Sequence, residues 1–325
     1  MSTEQLALAG SAEPRRYNWL ARTSVVFTFV LICAGALVTG NEARLADPEW
    51  PSFFGKSLPT SETFVGGARY EDTHRIIASI AGLLTLLLAF WIQRGEPRRS
   101  VRKLAWWAVA AVFLQALAGG LIIHVGKGTF NLNPELTSTI HASLGHSYFM
   151  LCVALAVVSS AKWFETKPEL DRPGNVSYRG TLRVVVVITY IQLLLGASVR
   201  HSTTAFLWHL VAHIIVALAL AMYLLWITMR TFGEYSDVSL LRKRAITLLA
   251  LLATQVLLGA VSIFANRDRA NEGVSSLPLV IVSTAHVVVG TLILAYVLSM
   301  AMHAFRLLSV PESRAAIPDA AGQVA

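Results

Sequence analysis

Long apolar runs separated by charged clusters dominate the chain. Crossing a bilayer takes about 20 mostly apolar residues in a helix. Eight such runs can be read, at 20–40, 74–93, 104–124, 138–158, 183–201, 206–228, 245–265 and 279–303. Membrane strands would alternate over about 10 residues instead, and these runs do not alternate. The pattern predicts an all-α membrane protein with eight transmembrane helices. A polar stretch at 159–182, holding Pro168, Pro173 and Gly174, divides the runs four and four. The expected organisation is two tandem four-helix bundles, 20–158 and 183–303, joined by the 159–182 linker and flanked by tails at 1–19 and 304–325.

The halves also resemble each other. The third run contains Gln115-Ala-Leu-Ala-Gly119 and the seventh Gln255-Val-Leu-Leu-Gly259. His146 follows Gln115 by 31 residues, as His286 follows Gln255. The first run ends in Gly35-Ala-Leu-Val-Thr39 and the fifth in Gly196-Ala-Ser-Val-Arg200. Repeats in the same orientation indicate a tandem duplication. Parallel repeats occur in transporters too, so this one names no function.

Composition sharpens the picture. Of 325 residues, 55% are hydrophobic and 14% charged, with a mean hydropathy of +0.58; a soluble domain carries about 25% charged residues. Disorder and an ordinary soluble enzyme are both excluded. The net charge of +8 is not a nucleic-acid footprint, because the basic residues collect at alternate ends of the runs. Arg15 and Arg16 come first, then Arg94, Arg98, Arg99, Arg102 and Lys103. Lys162, Lys167, Arg172 and Arg179 follow, then Arg230, Arg242, Lys243 and Arg244, and finally Arg306. The first loop on the other side is net acidic, with Glu42, Asp47, Glu49, Glu62, Glu71 and Asp72 against Arg44, Lys56 and Arg69. The positive-inside rule then predicts that both termini are cytoplasmic. The start shows no cleavable signal pattern, so a bacterial cytoplasmic membrane is expected, with the first helix as insertion signal. Cys33 and Cys152 both lie in apolar runs, which gives no sign of a disulfide framework.

Candidate chemistry lies in the histidines. Ionisable groups within a bilayer are costly and point to function, although a membrane histidine can also simply hydrogen-bond a neighbouring helix. His74 precedes Arg94 by 20 residues, His146 precedes Lys162 by 16, His213 precedes Arg230 by 17, and His286 precedes Arg306 by 20. At about 1.5 Å per residue these four lie about 24–30 Å from the inner flank. One histidine per even-numbered helix at a common level suits two bis-imidazole iron sites. Small residues that allow close approach, Ala78, Gly82, Ala217 and Gly290, follow three of them. Depth separates neither His141 from His146 nor His209 from His213. The repeat favours His146, and the match of His213-Ile-Ile-Val-Ala to His74-Arg-Ile-Ile-Ala favours His213. His124 and His201 fall at the outer mouth, as propionate contacts or as solvated helix ends; His303, near the inner end, is expected to be structural.

Glu71-Asp72-Thr73-His74-Arg75 is the most informative stretch. If the helix begins this early, Glu71 and His74 share a face. A carboxylate one turn above an iron ligand can accept a proton or stabilise developing positive charge. A helix dipole alone also favours an acid there. Arg75 is expected at a haem propionate or at Asp72.

Together these residues resemble the haem A synthase family, whose members convert haem O to haem A, from about Leu31 to Leu298. Gly35-Ala-Leu-Val-Thr-Gly, Pro48-Glu49-Trp50-Pro51 and Gly55-Lys56-Ser57-Leu58-Pro59 look like its first helix and outer loop. Glu71–Arg75 looks like its Glu-x-x-His-Arg motif, and Gly196-Ala-Ser-Val-Arg200-His201 like its Gly-Ala-x-Val-Arg-His stretch. The resemblance implies haem b between His213 and His286, and substrate haem O near His74 and His146. It implies catalysis through Glu71, with Arg75, Arg200 and His201 as further haem contacts. Two successive hydroxylations of the haem methyl group would give a hydrated aldehyde, and loss of water the formyl group used by terminal oxidases. Implied partners are the lipid bilayer, the protohaem farnesyltransferase that makes haem O, and an unidentified electron donor; a homo-oligomer is compatible. Many members carry a cysteine pair in the first loop, where this chain has Asp47 and Phe53, which places it in a cysteine-free subset. The alternative is a di-haem b-type electron-transfer cytochrome, which would have no use for Glu71.

Overall fold

The computed structural model describes residues 15–165, 169–170, 177–202, 206–272 and 276–309. Most of the two tails, and Lys167, Pro168, Arg172, Pro173 and Gly174 of the linker, lie outside the described residues. Among the described residues, eight helices are long and apolar enough to cross a membrane. They are α1 (Asn18–Gly40), α2 (Ala68–Gly95), α3 (Arg99–Gly126), α4 (Pro134–Val158), α5 (Tyr178–His201), α6 (Phe206–Glu234), α7 (Ser239–Glu272) and α8 (Leu277–Leu307).

Each apolar run is the middle of a longer helix. Helix α2 begins at Ala68, six residues before its apolar run, so Glu71 and His74 do share a helical turn. Helix α4 starts early as well. Pro134 stands in its first turn, and Asn133 Oδ1 accepts from the amides of Glu135 (2.8 Å) and Leu136 (3.0 Å). This satisfies two of the orphan donors of a helix start. Ser177 caps α5 in the same way through Gly180.

Packing repeats between the halves. Helix α1 packs on α2, α2 on α3, α3 on α4 and α4 back on α1; α5 to α8 close the same ring. The rings meet through α1 on α8, α5 on α4, and α4 on α8, the set a two-fold exchange of the halves would leave unchanged. A short parallel pairing of Glu169–Leu170 with Leu308–Ser309 ties the linker to the end of α8.

The filled cores lie at the basic ends of the rings. Leu88, Ile92, Tyr148 and Leu155 fill the first, and Leu182, Leu224, Leu241 and Leu248 the second. Large apolar side chains such as Trp107, Leu207 and Met229 face outward, as they do when lipid replaces water outside.

A polar lock holds the basic end of the first half. Glu96, 2% exposed, accepts from Arg98 Nε (2.6 Å) and Nη2 (3.0 Å) and from the Tyr17 hydroxyl. Burial pushes its carboxyl up, but the hydrogen bonds from Arg98 and Tyr17 outweigh that and hold it below the ordinary value. An unfolded Glu titrates near about 4.3. The stabilisation is therefore complete above that pH and is lost as pH falls through the lowered folded value. Glu96→Ala leaves Arg98 and Tyr17 without their acceptor and should cost about 3 kcal/mol. Thermal unfolding in detergent should show a lowered midpoint for the variant and a gap from the parent that narrows in acid.

Candidate functional site

Two histidine pairs stand at the other end of the helices. The rings of His74 (α2) and His141 (α4) have centres 6.4 Å apart at 69°; those of His213 (α6) and His286 (α8) are 6.2 Å apart, also at 69°. Each half thus carries one pair of nearly identical geometry.

A glycine on the preceding odd-numbered helix seats each ring. A Cβ added at Gly35, Gly119, Gly196 or Gly259 would lie 3.1, 3.3, 3.1 or 3.0 Å from Cε1 of His74, His141, His213 or His286. The imidazoles occupy the space a side chain would take. One turn before three of these glycines stands a glutamine whose amide reaches the ring. Gln115 Nε2 is 3.2 Å from His141 Nε2, and Gln255 Nε2 is 3.2 Å from His286 Nε2. Gln192 Nε2 lies 3.0 and 3.2 Å from the two nitrogens of His213.

These pairs fit an iron porphyrin. Metal–imidazole bonds of about 2 Å on opposite sides of one metal space the ring centres about 6 Å apart. Among the described residues, Nδ1 of His74, His141 and His286 is buried without a hydrogen-bond partner.

His146, expected opposite His74, lies outside both pairs. Its Nδ1 lies 2.8 Å from the Ala142 carbonyl and its Nε2 3.1 Å from Thr291 Oγ1, so both of its nitrogens have protein partners. His146 follows His141 by five residues, as Thr291 follows His286; their hydrogen bond joins α4 to α8 at equivalent positions. The equal 31-residue spacings misled because Gln115 meets His141 after only 26 residues, whereas Gln255 meets His286 after 31, so the second half carries five more residues between glutamine and ring. His209 lies on α6 one turn from His213, with its Nδ1 buried and unpartnered, but His213 is the ring that faces His286. His124 stacks edge-on against Phe130, and His303 against Trp163 at the basic end.

Arg75 is likewise not where it was expected. Its Nη1 donates to Asp47 Oδ2 (2.9 Å) and to the carbonyls of Glu49 (2.7 Å) and Ser52 (3.1 Å). Its Nη2 donates to the Asp47 carbonyl (3.0 Å) and to Glu71 Oε1 (2.7 Å). These partners make Arg75 an anchor of the first loop. Glu71 closes the ring, its Oε2 accepting from the Asp47 amide at 3.0 Å. Asp47 also accepts from the amides of Glu49 and Phe54. The Phe54 amide, next to Phe53, thus donates back to Asp47 and closes this part of the loop. Asp72 is fully buried next to this cluster. Trp50 lies against Gly120 and Leu45 against Gly126, so the loop rests on the end of α3.

Arg200 and His201 sit where the halves meet. Arg200 Nη2 donates to the Ala36 carbonyl of α1 at 2.7 Å. His201 Nδ1 is 3.5 Å from Arg44 Nη1, which donates to Ser138 Oγ of α4 at 3.1 Å. Arg200 lies within electrostatic reach of His286, and His201 of His141. Arg200 thus lies beside the second pair and His201 beside the first.

The comparisons bear on this arrangement. The cytochrome oxidase assembly protein family model (COX15-CtaA) matches residues 60–211. A heme A synthase of Symbiobacterium thermophilum is 30% identical over 267 residues, 74% of this chain and 83% of that protein. The chain belongs to the haem A synthase family. Heme A synthases of Listeria monocytogenes (25% over 271 residues, 76% and 85% of the two chains) and Lysinibacillus sphaericus (23% over 253 residues, 69% and 77%) are similar too. The stretch matched by the family model includes Glu71, His74, His141 and His201, and stops two residues before His213.

Sequence reasoning missed Gln192 and the four seating glycines. The signal was present in part: Gln-x-x-x-Gly recurs at 115–119, 192–196 and 255–259.

Proposed function

We propose that this chain is a haem A synthase, oxidising the methyl group of haem O by two successive hydroxylations to a hydrated aldehyde that loses water to give the formyl group of haem A. The observation that carries this reading is the doubled histidine pair, each ring seated on glycine, in a chain of this family. Residues 20–158 form the substrate half, where His74 and His141, rather than His74 and His146, bracket the iron of haem O. Residues 183–303 hold haem b between His213 and His286. Haem b supplies one-electron transfer when bound.

The protein's own part is positioning and proton handling. The first loop, anchored by Asp47, Arg75 and Glu71, covers the outer end of the first half and excludes water. Glu71, one turn above His74, takes a proton released as the substrate carbon is oxidised; Arg75 and the Asp47 amide hold its two oxygens in place. Arg200 and His201, with Arg44, face the haem propionates, for which cationic donors are suited. The farnesyl tail of haem O is apolar, which supports entry from the bilayer. The helices cross the cytoplasmic membrane of a bacterial cell with both termini inside, a reading the positive-inside rule supports.

The test is haem extraction and chromatography from cells lacking their own haem A synthase, making this chain with and without a haem O synthase. Haem A or its hydroxymethyl precursor should appear only with both proteins. Recovery of haem b and unaltered haem O alone, beside a bis-histidine spectrum, would replace this reading by the electron-transfer cytochrome.

A further inference from the structure

The four ring seats are alike in all respects but one. Each imidazole lies over a glycine, near the main-chain carbonyl one turn earlier, at Leu31, Gln115, Gln192 or Gln255. At three seats that earlier residue also extends an amide to the ring. At the fourth it is Leu31, a buried side chain with no polar atom. His74 is therefore the one ring of the four whose seat offers no side-chain hydrogen bond.

The glutamines have a second feature in common. Oε1 of Gln115, Gln192 and Gln255 is buried and without a partner in each case. A buried carbonyl oxygen left unpaired is costly, about 1–3 kcal/mol, and the same cost recurs at three equivalent positions. An imidazole that gives one nitrogen to iron presents N–H at the other, the donor such an oxygen lacks. Groups that hydrogen-bond a metal-bound imidazole fix its orientation and raise its basicity, and removing one typically costs about 10–100-fold in metal affinity.

We propose that Gln115, Gln192 and Gln255 are positioning residues that hold His141, His213 and His286 on iron, and that Leu31 makes His74 the ligand that lets go. The proposal rests on the haem reading above. It divides the two sites by function. The second half has two held ligands and retains its haem. The first has one held and one loose ligand, which suits a site that must take in a haem and release it each turnover.

The experiment follows haem loss from the purified full-length protein, loaded with ferric protohaem in detergent, to excess apomyoglobin. The parent should lose haem in a fast and a slow phase. Leu31→Gln should slow the fast phase about tenfold, and Gln255→Leu should speed the slow phase about tenfold. Gln255→Leu should also shift the low-spin ferric EPR signal, which reads ring orientation, and Gln255→Glu, which retains an acceptor, should restore both. Should Leu31→Gln fail to fold, the Gln255 pair decides. Unchanged release and unchanged EPR in Gln255→Leu, or an unchanged fast phase in folded Leu31→Gln, would overturn the proposal while leaving the haem reading intact. A parent that takes up no haem defeats the haem reading itself, and this proposal with it.

Discussion

Replacing His141 by leucine should abolish haem A formation, whereas His146→Leu should leave most of it. Among the described residues, His141 is the ring that faces His74, at a separation that one iron can bridge. His146 is occupied at both nitrogens by Ala142 and Thr291. Losing His146 removes a buried hydrogen bond between α4 and α8 and leaves Thr291 its bond to the Val287 carbonyl. The cost is about 1 kcal/mol of stability, not a ligand. Both variants are read by chromatography of extracted haems from cells also making a haem O synthase, with haem bound per purified protein as a second measure. Loss of haem A in His146→Leu but not in His141→Leu would reverse the assignment.

Gly259→Leu should empty the second half. A Cβ at Gly259 already meets His286 Cε1 at 3.0 Å, and the rest of a leucine side chain has to occupy the volume of the imidazole. Helix interiors are close-packed and do not yield such space, so the ring is displaced from His213. The expected result is loss of about half the bound haem and of its bis-histidine EPR signal. Gly233→Leu is the control, since nothing lies within 4 Å of a Cβ there, and it should leave haem content unchanged. Full haem content in Gly259→Leu would show that the ring seat does not hold a ligand.

Much of the site was legible in the residues. Glu71 and His74 share a turn because α2 does begin before its apolar run, and His213 faces His286. His141 was not separable from His146: they precede Lys162 by 21 and 16 residues, while the other three histidines precede their basic residues by 17 to 20. Counting forward from glutamine was the wrong ruler, because it crosses a loop, and loops absorb insertions freely. Counting along one helix is reliable, because its rise per residue is fixed. Arg75 was not legible. A guanidinium beside a histidine looks like a propionate ligand until the loop that folds back over it supplies its acceptors.

The amino-acid sequence by itself determined the eight membrane helices, the duplication and the family motifs. Those depend on apolar length and on spacing within one helix, which are local quantities. Tertiary structure alone decided which histidine completes the first pair, what Arg75 and Asp47 hold, and that Leu31 breaks a four-fold pattern of ring seats. Those depend on contacts between helices far apart in the chain, where connection length sets the register and close packing leaves room for only one ring on each glycine.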